Sequence, residues 1–280
     1  MRHILPFLAL LGLSLAAVPP RPFPAEPRHA TSELIFGGHR AYKGQFPYFV
    51  YLYDIGCGGS LLTPKLVLTA AHCVDESRIG TKVVAGIDDD QNYEGVHGVQ
   101  IRKIVSITPH KDYEATRTFS KHDDIAIVEV DQPFEINNYA QLITIKKNDT
   151  ELQKLYWTTV TGFGPTDIVN NTLVYQQYLQ FAYVPIVAHD ECCKVWCVWG
   201  LWDKQLCGGA QRVGTGPGDS GGPMAVRDLD GKYYQIGLVS YGAGSSNGLL
   251  NQNKYPSVYT RTASYCDWIF ENTNGAYRCS

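Results

Sequence analysis

Ser220 sits in Gly218-Asp219-Ser220-Gly221-Gly222-Pro223, a run too rich in glycine for ordinary core and one that sets a hydroxyl among free backbone N–H groups. Such a serine can attack a carbonyl if an imidazole takes its proton and a third group orients that imidazole. The same letters satisfy the G-x-S-x-G turn of a different hydrolase architecture, in which acid and histidine follow the serine in the chain. All eight histidines precede Ser220, and Pro223 opposes the helix such a turn must enter. The order left standing is histidine, aspartate, serine.

His72 is the strongest candidate base. It lies in Thr69-Ala70-Ala71-His72-Cys73, where small neighbours leave the ring room to turn. Cys57, sixteen residues upstream of Cys73, is the natural disulfide partner to pin this loop; closing it is worth about 3 kcal/mol on the chain-entropy model. Taken alone, a buried structural histidine next to a disulfide is the better reading. The orienting acid should be a buried carboxylate on a rigid element, and Asp123-Asp124 opens the strand-like run Ile125-Ala126-Ile127-Val128-Glu129-Val130. Alternation puts Asp124 on the face of Ala126, Val128 and Val130, and Asp123 on that of Glu129, so Asp124 is expected to be the buried one.

The elements that must position these groups are short strands. Phe46–Tyr53, Leu66–Thr69, Thr81–Val84, Ile125–Val130, Thr158–Gly162, Tyr233–Tyr241 and Ser257–Arg261 are rich in β-branched and aromatic residues and bounded by Gly or Pro. This predicts an all-β protein, with one helix near Ala263–Glu271 where Tyr265, Trp268 and Ile269 recur at helical spacing. Arg2 and His3 precede an apolar run from Ile4 to Ala17 that reads as a secretory signal peptide over residues 1–17. That run is too short for a membrane anchor. Val18–Leu34 holds five of the fifteen prolines and no apolar periodicity, so 18–34 is expected to be a propeptide. A formal charge of −3 gives no footprint for nucleic acid, and no later stretch suits a membrane. Eight cysteines in an exported chain favour disulfides over metal ligation.

With Cys57-Gly58-Gly59-Ser60, the histidine motif, Asp124-Ile125-Ala126 and the Ser220 motif in this order, the chain resembles the trypsin/chymotrypsin-like serine proteases from Ile35 to about Ile269. The resemblance implies two packed six-stranded antiparallel β-barrels with a C-terminal helix in 35–280, the N-terminal barrel over about 35–150 and the C-terminal barrel and helix over about 151–280. It also implies peptide-bond hydrolysis by His72, Asp124 and Ser220 through an acyl-enzyme, with the N–H groups of Gly218 and Ser220 as oxyanion hole. Ser240-Tyr241-Gly242 then pairs with the substrate backbone. Ile35-Phe36-Gly37-Gly38 resembles the family's new N-terminus, whose freed ammonium at Ile35 would pair with Asp219 and complete a zymogen activation. Leu34, rather than Arg or Lys, precedes the cut.

Specificity follows from the same resemblance. Gly214 stands where trypsins place an aspartate, so the pocket has no anionic base; Gly242 leaves its entrance open, and Ser257 occupies a wall position. A neutral pocket favours Phe, Tyr, Leu or Met at the cleaved position. Leu34 suits it, which suggests self-activation. The bridge positions Gly216 and Ser245 are both without cysteine, as are Thr158 and Val226, so the pocket rim is expected to be more mobile. Cys207 should pair with Cys192 or Cys193, leaving two further bridges among Cys197, Cys266, Cys279 and the remaining cysteine. His189 with Cys192, Cys193 and Cys197 mimics a zinc cluster, and Asp88, Asp90, Asn92 and Glu94 mimic calcium ligands. Disulfides and a solvated acidic turn are the better readings, so neither metal nor cofactor is expected. Trp196, Trp199 and Trp202 are read as packing beneath a short helix. Asn148 and Asn170 begin glycosylation sequons. The expectation is a secreted, monomeric serine endopeptidase acting on proteins or peptides and open to proteinaceous inhibitors. The rival is a catalytically silent homologue that binds or inhibits a partner.

Overall fold

A computed structural model describes residues 35–113 and 121–280. The expected signal peptide and propeptide lie outside the described residues. The first barrel closes in the order β1 (Phe49–Leu52), β2 (Cys57–Leu61), β3 (Leu66–Thr69), β6 (Ala126–Val130), β5 (Gln100–Pro109), β4 (Lys82–Ala85) and back to β1, every pairing antiparallel. Its interior is Val50, Leu52, Leu61, Val67, Val83, Ile104, Val128 and Val130, all buried. The second runs β7 (Trp157–Gly162), β8 (Gln180–Val187), β9 (Gln205–Gly208), β12 (Ser257–Arg261), β11 (Tyr233–Tyr241) and β10 (Pro223–Arg227), which returns to β7. Two closed six-stranded antiparallel barrels thus carry the molecule, as the resemblance implies.

The barrels meet backbone to backbone where the chemistry sits. A Cβ at Gly58 on β2 would lie 2.8 Å from the Gly222 Cα, so only glycine lets the Ser220 loop approach the first barrel this closely. The contact is used: the Gly58 N–H donates to the Ser220 carbonyl at 2.8 Å. Ile35 is fully buried and packs with Val160, Val184, Met224 and Tyr259 inside the second barrel.

The chain enters β1 only at Phe49, because residues 46–49 turn with the Phe49 N–H bonded to the Phe46 carbonyl. The expected C-terminal helix is two pieces, a 3₁₀ turn over Thr262–Tyr265 and an α-helix over Cys266–Asn272. Its Ile269 is fully buried, and Cys266 is bonded to Cys279. β5 carries no clean apolar alternation, and Arg102 and Lys103 interrupt it, yet it is the longest strand described. Its register is broken by a bulge between Ile104 and Ser106. Among the described residues no helix is long and apolar enough to cross a membrane.

Candidate active site

His72 lies in a 3₁₀ turn, Ala71–Cys73, directly after β3. Asp124 holds it twice: Oδ1 accepts the His72 backbone N–H at 2.9 Å and Oδ2 lies 2.8 Å from Nδ1. Ser240 at the end of β11 donates its hydroxyl to the same Oδ2 at 2.5 Å, and Thr260 donates to the Asp124 carbonyl at 2.9 Å. The carboxylate is fully buried. Burial opposes its charge, but the His72 ring, the Ser240 hydroxyl and the Lys121 ammonium together hold its pKa below the ordinary aspartate value. A buried carboxylate kept ionised on Nδ1 leaves Nε2 as the nitrogen that can take a proton.

Asp123 is also buried, at 8 % exposure, against the expectation from strand alternation. Its φ of 52° breaks the extended chain, and β6 begins only at Ala126, so positions 123 and 124 do not alternate as a strand would. It accepts from the Tyr265 hydroxyl at 3.1 Å and stands 3.8 Å from both His110 Nδ1 and Lys204 Nζ.

Ser220 and the His72 turn are both tied to β2. The Ser220 carbonyl is bonded to Gly58, and the adjacent Cys57 is joined by a disulfide to Cys73, the neighbour of His72. The loop follows glycine geometry, with Gly218 at φ 100° and Gly221 at φ 72°. Asp219 and Gly221 spend their N–H groups on the Gly216 and Val239 carbonyls, whereas among the described residues those of Gly218 and Ser220 find no internal acceptor. Two unspent donors flanking a serine hydroxyl can receive a developing oxyanion.

Asp219 points the other way. It is 1 % exposed and accepts from the N–H groups of Gly164 at 2.8 Å and Gly216 at 2.9 Å. Burial, which those two bonds only partly offset, lifts its carboxyl to about 7. Phe36 braces the same loop: its carbonyl accepts the Gly214 N–H at 3.1 Å, and its ring lies beside Gly216.

Beside Ser220 opens a cavity of about 280 Å³ lined by Thr215, Gly216, Ser240, Tyr241, Gly242 and Ser257, together with Lys121 and Leu249. Four of the five expected pocket residues, Ser240, Tyr241, Gly242 and Ser257, therefore line it. Gly214 does not. The buried Gln252 lies against it, with Oε1 only 2.0 Å from where a Gly214 Cβ would stand. Gln252 donates to the Thr215 carbonyl and accepts from the Ser257 hydroxyl, both at 2.8 Å, so the Ser257–Gln252 pair separates Gly214 from the cavity. Gln252 lies in a stretch without pattern, and no signal in the sequence marks it. Ser245, at an expected bridge position, instead caps the N-terminus of a short helix, Ser246–Leu250, that brings Leu249 to the rim.

Lys121, three residues before Asp124, was not anticipated. Its Nζ lies 3.3 Å from the Ser240 carbonyl. Trp196 is buried, with Nε1 on the Pro256 carbonyl and its ring edge-on to Tyr241; Trp202 stacks on His122. Two of the three tryptophans thus pack behind the cleft, while Trp199 is 47 % exposed.

The disulfides are Cys57–Cys73, Cys192–Cys207, Cys193–Cys197 and Cys266–Cys279, which settles Cys192 as the partner of Cys207 and leaves no thiol near His189 free to bind metal. In the acidic turn, Asp88 pairs with Lys43 at 2.9 Å and Glu94 with Lys82 at 2.8 Å, while Asp89 accepts the Gln91 and Asn92 N–H groups. These carboxylates serve separate partners and do not converge on one point. Asn148 and Asn170 are both exposed.

Comparison with known proteins agrees with this geometry. The family model described as Trypsin matches residues 35–269. Chymotrypsin-C of Rattus norvegicus is 32 % identical over 89 % of this chain and 91 % of its own length. Chymotrypsin-like elastase family member 1 of Felis catus is 33 % identical over 95 % and 97 %. Trypsin 5G1 of Aedes aegypti is 30 % identical over 86 % and 85 %.

Proposed function

The chain belongs to the trypsin family and is a serine endopeptidase; we propose that it is exported as a zymogen, cut between Leu34 and Ile35, and cleaves after large apolar or aromatic residues. In this reading Ser220 attacks the scissile carbonyl as His72 Nε2 takes its proton. Asp124, ionised and bonded to Nδ1, holds the ring in the right tautomer and stabilises the imidazolium. The oxyanion settles between the Gly218 and Ser220 N–H groups, where one donor is worth about 3 to 4 kcal/mol. His72 then protonates the leaving amine, and water repeats the sequence on the acyl-enzyme. Magnitudes here are those of the family's own triad template.

The observation that carries the specificity is the cavity beside Ser220, closed at its far side by the Ser257–Gln252 hydrogen bond, with no carboxylate among its lining residues and the Lys121 ammonium as the charged group among them. A buried amide and hydroxyl already satisfied by each other offer nothing to a Lys or Arg head group, while the cavity rewards apolar area. Leu34 suits such a pocket, which supports self-processing. Processing is supported by Asp219, a carboxyl whose only hydrogen-bond partners among the described residues are two backbone N–H groups, and by Ile35, whose φ of 38° is unfavourable for a β-branched residue within a continuous chain. Freed at its nitrogen, Ile35 would supply an ammonium to that carboxylate. Export agrees with four disulfides and with two exposed sequons.

Cleavage of a peptide library by protein matured at Ile35 tests the specificity. Dominant cutting after Phe, Tyr, Leu or Met is expected, and dominant cutting after Lys or Arg refutes the reading of a pocket without an anionic base. An organophosphate should label Ser220 in the matured protein; no adduct there removes the catalytic assignment.

A further inference from the structure

We infer that Lys121 selects an acidic side chain at the substrate position just before the cleaved residue, and that Glu33 of this same chain is such a side chain. The inference rests on the reading of Ser240–Gly242 as the strand that pairs with substrate.

Lys121 is a partly buried cation in the cleft, and among the described residues no carboxylate forms an ion pair with it. Its main chain is anchored. Gln205 Nε2 donates to the Lys121 carbonyl at 3.3 Å, and the neighbouring His122 stacks on Trp202 with ring centroids 4.3 Å apart while Nε2 contacts the Gly200 carbonyl at 2.6 Å. The ammonium therefore leaves a fixed backbone on a flexible stem and ends on the Ser240 carbonyl. Burial pulls its pKa down, and Asp124 only partly restores it, so this ammonium gains from any further anion.

Antiparallel pairing brings the N–H of the cleaved residue to the Ser240 carbonyl, the atom that Lys121 occupies. Successive side chains of an extended substrate leave on opposite sides of its backbone, so when the cleaved residue fills the cavity its predecessor is left outside it, and the Lys121 ammonium, displaced from the Ser240 carbonyl where cavity and backbone meet, is free to swing to it on its flexible stem. A carboxylate there replaces the acceptor that Lys121 loses; an amide replaces it weakly and a second ammonium repels. The expected cut within Ser32-Glu33-Leu34-Ile35 has this form, with Leu34 for the cavity and Glu33 preceding it. The cation in the cleft and the anion in the activation sequence are separate facts about one chain that fit each other.

The test uses the full chain carrying Ser220→Ala, which cannot cut itself, as substrate, with Glu33 intact or changed by Glu33→Gln or Glu33→Lys. The enzymes are matured wild type, Lys121→Gln and Lys121→Glu, and the reading is the initial rate of the Leu34–Ile35 cut at low salt. Wild type should cut the Glu33 substrate about fivefold faster than the Glu33→Gln form, the upper range of a solvent-accessible pair. Lys121→Gln should lose that ratio, Lys121→Glu should favour the Glu33→Lys substrate, and 1 M salt should flatten all differences. The same substrate order for wild type and Lys121→Glu overturns the inference. Two short peptides differing only in Glu or Lys before leucine separate the layers. Equal hydrolysis of both overturns the Lys121 assignment and leaves the peptidase reading intact, whereas hydrolysis of neither overturns both.

Discussion

Asp219→Asn should have opposite consequences before and after the cut at Ile35. In the uncut chain the Asp219 carboxyl is buried on two backbone N–H groups, and its pKa is lifted from 3.8 to about 7. The fold thus prefers the neutral acid. Between those two values the folded state binds the proton that the unfolded chain has released, so stability falls as pH rises from about 4 to about 7 and is level beyond. A lift from 3.8 to about 7 corresponds to about 4 kcal/mol at pH 8, at about 1.4 kcal/mol for each unit of pKa. Asparagine keeps the shape and one acceptor but carries no charge, and its added N–H₂ must find a partner. About 2 kcal/mol of that cost should therefore be recovered at pH 8 and none at pH 4. After the cut the sign reverses, because asparagine leaves the Ile35 ammonium buried without a counter-charge, at about 3 to 5 kcal/mol. Urea unfolding of the uncut chain, held inactive by Ser220→Ala, measures the first half at both pH values, and peptide hydrolysis by matured Asp219→Asn measures the second. An uncut Asp219→Asn chain that is less stable at pH 8, or a matured one with full activity, refutes the reasoning.

Ser240→Ala removes the hydroxyl that donates to Asp124 and should cost about 1.5 to 3 kcal/mol near pH 7, with hydrolysis slowed about tenfold or more. Because the Asp124 pKa is lowered in the fold, the stability difference should be present above about pH 4 and shrink as Asp124 is protonated below it; thermal melts at pH 7 and pH 3 check this. Gly214→Asp alone should not create a preference for Lys or Arg. Its Cβ would collide with Gln252, so the change should cost about 1 to 3 kcal/mol, and cleavage after Arg should emerge only when Gln252→Gly makes room. Denaturation and peptide profiling of the single and double variants decide it. Replacing Cys57 and Cys73 with serine should cost about 3 kcal/mol and most activity, since the bridge ties the His72 turn to the strand that holds Ser220. The Cys193–Cys197 bridge closes a span of 4 residues, and its removal should cost about 2 kcal/mol with activity largely kept.

The pairing of His72 with Asp124 was legible because each rests on short-range letters with few alternatives. The glycines around Ser220 answer a backbone contact between barrels, and the small residues before His72 answer a crowded turn after β3. The four-bridge count was legible from an even cysteine number, but the partner of Cys207 was not, because Cys192 and Cys193 are adjacent and only the direction of their helix, His189–Trp196, separates them. Strands with clean β-branched runs, such as Tyr233–Tyr241, matched to the residue, whereas Gln100–Pro109 did not announce itself, since pairing on both sides compensates for its charges and its bulge. Gln252 and Lys121 escaped for one reason: each acts through atoms more than thirty residues away in sequence, Gln252 on Thr215 and Lys121 on Ser240. Position-by-position reasoning has no access to such contacts. The misjudged burial of Asp123 came from extending strand alternation across a residue with positive φ.

The distribution of supports around the site also separates what the cut can change from what it cannot. His72 and Asp124 are held by β3, by the disulfide to β2 and by the Ser240 and Thr260 hydroxyls, none of which involves Ile35. The 214–220 loop, by contrast, is held at Gly214 by the Phe36 carbonyl, at Gly164 and Gly216 through Asp219, and at Ser220 by Gly58. Of these, the Phe36 and Asp219 supports depend on where the Ile35–Phe36 segment lies and on the charge beside Asp219. A cut before Ile35, as proposed, would therefore act on the 214–220 loop, while His72 and Asp124 are already paired without it.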